Sequence, residues 1–125
     1  MATGLENLKI YKQAVRLEIF VHKVLDQKFP VEEKYRSIDQ LKRSSSSISD
    51  NIAESYGKYS FGAKINHLYI ARGELIETKS GFERAYLKGF VSKILTDFIL
   101  EKYLELLKRL NSYINFIKIK KNETM

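Results

Sequence analysis

Apolar residues recur every three or four positions along most of this chain, the spacing that places them on one face of an α-helix. Ile10, Ala14, Leu17, Val21 and Val24 form the first stripe, in a helix expected over about residues 8–27. Phe29 and Pro30 end it. Proline suits a first helical position because its missing N–H would have no intrahelical partner there, and Glu32 and Glu33 favour a positive helix start. A second helix is therefore expected over about 31–56, striped by Tyr35, Ile38, Leu41, Ser45, Ile48, Ile52 and Tyr56. Gly57 is expected to close it as a left-handed cap, and Ser60 to open a third helix over about 60–87 through Ile65, Leu68, Leu75, Phe82 and Tyr86. Gly73 and Gly81, inside that helix, are expected to mark close approaches of a neighbour. Gly89 and Ser92 then separate it from a fourth helix over about 92–119.

No stretch alternates in the manner of a strand, and the connections are only a few residues long, which makes sequential helices antiparallel neighbours. The expected fold is all-α: an antiparallel up-down-up-down four-helix bundle, one domain over residues 1–125.

Two helices carry more than a core stripe. In the second, the run Ser44 to Ser47 puts small side chains where another helix can come close. Ser47, Asn51 and Glu54 beside it need polar partners. Asp50 and Glu54 form a like-charge i,i+4 pair, so Arg72 or Lys64 of the third helix is expected to offset Glu54, giving a polar network of Ser47, Asn51, Glu54 and Arg72 that fixes helix register. A cation or substrate site is the alternative. In the fourth, 15 of the 26 residues from Ile94 to Ile119 are apolar, above the roughly three in seven that face a single core. The surplus arc, with Leu100, Tyr103, Leu104, Leu107, Ile114 and Phe116, predicts a homo-oligomer joined through this helix.

The net charge of +7 adds a polyanionic partner, RNA or DNA, to the picture. Between Glu105 and Glu123 there is no acidic residue, whereas Lys108, Arg109, Lys118, Lys120 and Lys121 all fall there. These five, with Lys42, Arg43 and Lys58, are the candidate nucleic-acid contacts. The turn from Tyr56 to Phe61 interleaves aromatics with Lys58, either to stack on bases or to plug the bundle end. No membrane association is expected, since the longest unbroken apolar run is Leu68 to Ala71. The opening MATGLENLK lacks a signal-peptide pattern and cysteine is absent, which fits a cytoplasmic protein.

Catalytic patterns fail on spacing. His22 and His67 are preceded three positions earlier by Ile19 and Lys64, so neither forms the Glu-x-x-His of di-iron bundles, and both are expected on the surface. A phosphate loop at Gly57-Lys58 would need glycine where Ile52 stands and Ser or Thr where Tyr59 stands. The acidic stripe Asp97, Glu101 and Glu105 is expected to be a solvated face or a subunit contact. The expectation is a non-enzymatic chain without metal or cofactor.

The stretch LKIYKQAVRLEIFVHKV, the FP turn, YRSIDQLKRSSSSISDNIAESYGKYS and LYIARGELIETKSGFERAYLKGF together resemble the small four-helix-bundle proteins encoded within intervening sequences of bacterial 23S ribosomal RNA genes. The chain also looks like the accessory protein of diversity-generating retroelements. The family pattern usually has alanines around Ser44 and Ser45 and a glycine at Ser55, so this chain is a more polar variant of that face. The resemblance implies the up-down bundle and a ring-like homo-oligomer, usually a pentamer, and supplies no catalytic residues. Two functional expectations follow: an oligomer that binds structured RNA or a ribonucleoprotein through basic surface, or a scaffold that docks a protein partner such as a reverse transcriptase.

Overall fold

The computed structural model describes Gly4, Leu5 and residues 8–124. Four helices hold most of them: α1 (Lys9–Lys28), α2 (Asp39–Gly57), α3 (Phe61–Leu87) and α4 (Lys93–Glu123), with no strand among the described residues. Contacts between helices pair rising residue numbers on one with falling numbers on the next. Glu18, His22 and Asp26 of α1 meet Ser49, Ser45 and Lys42 of α2. Gln40 and Asn51 of α2 meet Glu77 and His67 of α3. Tyr69 and Arg72 of α3 meet Lys118 and Asn111 of α4. Gln13 and Phe20 of α1 meet Arg109 and Phe98 of α4, so α1 and α4 close the ring of helices.

All four helices feed one apolar core, in which Val21, Leu25, Ile48, Ile52, Leu68, Leu75, Phe82, Ile99, Leu106 and Leu110 are fully buried. Serine caps fix the starts of α3 and α4. The Ser60 hydroxyl accepts from the Ala63 N–H at 3.1 Å, and the Ser92 hydroxyl from the Leu95 N–H at 3.2 Å, each satisfying an orphan donor of a first turn.

Several expectations are corrected. The second helix begins at Asp39 rather than near residue 31. Residues 31–38 form a 3₁₀ turn, Val31–Glu33, and then a wide π-type turn, Lys34–Ile38, where Arg36 leaves helical geometry at φ −122°, ψ −108°. Pro30 stands before the helical turn as its extended N-cap rather than at the first helical position, and the bend at Arg36 breaks the stripe: Ile38 turns into the core while Tyr35 stays exposed. Gly57 is not a left-handed cap. It remains helical, and Lys58 leaves α2 in extended geometry that leads straight to the Ser60 cap. Gly89 is the glycine that adopts positive φ, 82°, and it ends α3 in a Schellman arrangement, with Phe90 N–H donating to the Ala85 carbonyl at 2.9 Å and Gly89 N–H to that of Tyr86. Gly81 does mark a close approach, since a Cβ there would lie 2.4 Å from Leu41 Cδ2, whereas at Gly73 it would meet open space. In the apolar arc of α4, Tyr103 and Ile114 belong to the core.

Candidate nucleic-acid interface

Beside its core stripe, α1 carries Lys9, Lys12, Arg16 and Phe20 three or four residues apart. Beside its own, α4 carries Phe98, Lys102, Glu105 and Arg109. The antiparallel pairing of α1 with α4 sets these rows opposite each other. A cleft of about 640 Å³ runs between them, with Leu17, Phe20 and Phe98 among its walls. It meets a second cleft of about 610 Å³ at Lys9 and Arg109, lined further by Leu8, Ile10, Lys108, Ser112 and Tyr113.

The lining charge is almost all of one sign. Lys9, Lys12, Arg16, Lys102, Lys108 and Arg109 face a single carboxylate, Glu105, which is held by Lys102 at 3.4 Å. Arg109 donates to Gln13 Oε1 at 2.7 Å, so an uncharged partner positions it without neutralising it. Among the described residues Lys9, Lys12, Arg16 and Lys108 form no ion pair. Cations of one sign converging on a concave surface raise the local potential and draw in anions.

Aromatic rings lie at both ends of this track. Phe20 and Phe98 meet edge to face with centroids 5.5 Å apart, and Lys102 Nζ lies 5.5 Å from the Phe98 ring. At the wall of the second cleft, Tyr113 stacks on Phe116 at 6.1 Å, with Lys120 Nζ 5.6 Å from Phe116. Burial, helped by nearby Tyr56, pushes the Tyr113 phenol up.

Residues 6–112 match the sequence profile of the family described as 23S rRNA-intervening sequence protein. The chain belongs to that family. A solved structure with the same fold is that of a protein with unknown function from the S23 ribosomal protein family of Bacteroides thetaiotaomicron VPI-5482, with a TM-score of 0.77 and 26% identity over 85% of this chain and 95% of that one. No curated protein matches.

In this member of the 23S rRNA-intervening sequence protein family, the eight basic candidates do not form one surface. Lys108 and Arg109 line the α1/α4 track, and Lys120 sits at its aromatic extension. Lys118 lies over Tyr69 at 5.2 Å on the α3 side of α4, and Lys121 lies near Tyr59 at the bundle end. The other three are engaged by carboxylates: Lys42 by Asp26 at 2.7 Å, Arg43 by Asp39 at 2.8 Å and Lys58 by Glu54 at 3.8 Å. Lys9, Lys12, Arg16 and Lys102 were not singled out from the sequence. Their signal was the i, i+3, i+7 spacing of the first three on one flank of α1, which gains meaning only when α4 is laid alongside.

The expected polar network is also redrawn. Asn51 donates to the Ser47 carbonyl at 2.9 Å and hydroxyl at 3.0 Å, and its Oδ1 meets His67 Nδ1 at 3.1 Å. Glu54 is exposed and pairs with Lys58 instead of the third helix. Lys64 donates to the carbonyls of Ser55 and Tyr56, and Arg72 donates to Asn111 of α4 at 3.0 Å. Those backbone and α4 acceptors lie nearer than Glu54 to the two cations.

The serine run bonds as well as spaces. Ser44 meets Thr78 at 2.8 Å, linking α2 to α3. On the α1 side, Glu18 accepts from Ser49 at 2.5 Å and Ser46 at 3.1 Å, and His22 Nε2 meets Ser45 at 3.1 Å and the Lys42 carbonyl at 3.2 Å. Both histidines are therefore interhelical groups rather than free surface ones. Glu18 accepts hydrogen bonds from Ser46 and Ser49, and among the described residues it makes none to histidine, the bond that orients the base of a nucleophilic triad. Of the acidic stripe, Asp97 and Glu105 are held by Lys93 and Lys102. No helix among the described residues is long and apolar enough to cross a membrane.

Proposed function

We propose that this chain is a non-enzymatic, self-associating cytoplasmic bundle that binds structured RNA, or the RNA of a ribonucleoprotein, through phosphate contacts along the α1/α4 track. The observation that carries this reading is the convergence of Lys9, Lys12, Arg16, Lys102, Lys108 and Arg109 on a cleft with one carboxylate. Six cations at that density favour a polyanion over any neutral ligand. Contacts of this kind give affinity and positioning with little base selectivity.

Titration of a labelled RNA at several salt concentrations tests it. Affinity should fall linearly on a log–log plot, and each phosphate-contacting cation removed should lower the slope by about one. Reversing Lys9, Lys12 and Arg16 to Glu should weaken binding, whereas reversing Arg43 and Lys58, which already face carboxylates, should leave it nearly intact. No binding at low salt, or equal loss from the two sets, rejects the track. A protein partner retained from nuclease-treated lysate by a chain without RNA affinity would favour the scaffold reading instead.

A further inference from the structure

The track has a feature that phosphate binding alone does not use. Phe98 is 45% exposed and Phe116 is 51% exposed, on the same flank of α4 as Lys102, Arg109 and Lys120. Each ring has a cation nearby and one aromatic neighbour, Phe20 or Tyr113. Leaving half of a phenyl ring in water forgoes much of the free energy of its burial. In a paired duplex the base faces are already stacked on one another and the phosphates lie on the convex outside, so rings set along a cleft would find nothing to stack upon. An unpaired strand presents both what the cations and what the rings recognise: a continuous phosphate backbone and free base faces. From residue 98 to residue 116 the flank is roughly 27 Å long at 1.5 Å per residue, a length that spans several nucleotides.

We propose that the α1/α4 track is a single-strand site: the cations follow the backbone while unpaired bases stack on Phe98 and Phe116. This rests on the nucleic-acid reading above and names the part of a structured RNA that enters the cleft, its loops and unpaired ends. A duplex would touch only the rim cations. An acidic, apolar peptide helix matches the charge and the floor but has no use for ring faces spaced along the track.

The experiment compares a labelled uridine homopolymer, which stacks weakly on itself, with a fully paired RNA duplex of equal phosphate number, at one low salt concentration. The strand should bind at least about tenfold tighter, given the contribution of each base–aromatic stack. Phe98→Ala and Phe116→Ala should each weaken strand binding by roughly five- to fiftyfold and leave duplex binding and the salt slope unchanged. Phe98→Leu keeps an apolar side chain without a ring face and should behave as Phe98→Ala, so the loss cannot be ascribed to unfolding. Thermal unfolding of each variant provides the same check. Equal affinity for strand and duplex, equal loss of both in the Phe variants, or full retention in Phe98→Leu overturns the single-strand site while leaving the phosphate track standing. So does polyglutamate binding as tight as the strand with the same Phe dependence. Failure of both RNAs to bind rejects the track itself.

Discussion

Gly81 of α3 faces Leu41 of α2 so closely that a Cβ at position 81 would sit 2.4 Å from Leu41 Cδ2. Leu41 is buried, so a methyl group at position 81 fits only if the leucine side chain moves out of its packed position. Gly81→Ala should lower stability by about 1–2 kcal/mol, overpacking outweighing the gain of about 1 kcal/mol in helix propensity. Gly73→Ala, which adds a methyl group into open space, should raise stability by about 0.5–1 kcal/mol. Urea unfolding of the two variants checks both signs.

Tyr103 lies in the core with a hydroxyl that has no hydrogen-bond partner among the described residues. A buried polar atom without a partner costs about 1–3 kcal/mol, so Tyr103→Phe should stabilise the fold, by about 1 kcal/mol. Burial, with the Glu18 carboxylate adding to it, pushes the Tyr103 phenol up from its ordinary value of 10.0. The folded state thus keeps a proton that the unfolded chain releases above about pH 10. Stability from this group is complete below that pH and falls as pH rises beyond it. Unfolding midpoints should drop more steeply above pH 10 in the parent than in Tyr103→Phe, and parallel curves would refute the assignment.

Ser49 donates to Glu18 at 2.5 Å and Ser46 donates to the same carboxylate. Hydrogen bonds to a charged acceptor are worth about 1.5–3 kcal/mol, and Glu18 is half-buried against α2. Ser49→Ala should cost about 1–2 kcal/mol. Glu18→Gln should reduce the penalty of a further Ser49→Ala, because the charged acceptor is already gone; a double-mutant cycle measures that coupling.

Self-association is expected along the outer seam of α3 and α4. Leu104 is exposed and Leu100 and Leu107 are half-buried, on the flank that presents Asn111 to Arg72. Ile76, one turn beyond Arg72, is exposed on the facing flank of α3. Ile76→Glu with Leu104→Glu should convert the assembly to monomers at micromolar concentration in sedimentation. A parent chain that sediments as a monomer rejects the assembly outright.

The four-helix bundle was legible because apolar spacing is a local property: Ile10 to Val24, Leu41 to Ile52, Leu68 to Phe82 and the stripe of α4 each specify a buried face without reference to the others. Caps at Ser60 and Ser92 were equally local, since one hydroxyl serves an amide three residues on. Where a position depended on another helix, the sequence was silent or misleading. Gly73 and Gly81 of α3 look alike in sequence, yet of the two only Gly81 meets a leucine. Residues 31–38 have a good helix start, yet the bend that buries Ile38 and exposes Tyr35 serves the crossing from α1 to α2.

Charge and polarity show the same division. Composition made the chain basic, and helix periodicity put Lys9, Lys12 and Arg16 on one flank. Asp39 and Glu54 engage Arg43 and Lys58 four residues along the same helix, a local spacing, but only tertiary packing brings Asp26 of α1 to Lys42 of α2 and lays the flank of α1 beside that of α4 across a cleft. Sequence by itself thus determined the four amphipathic helices and their order. Only the packed structure decided which of their polar flanks face each other, because that depends on distances between residues nearly a hundred positions apart, such as Gln13 and Arg109.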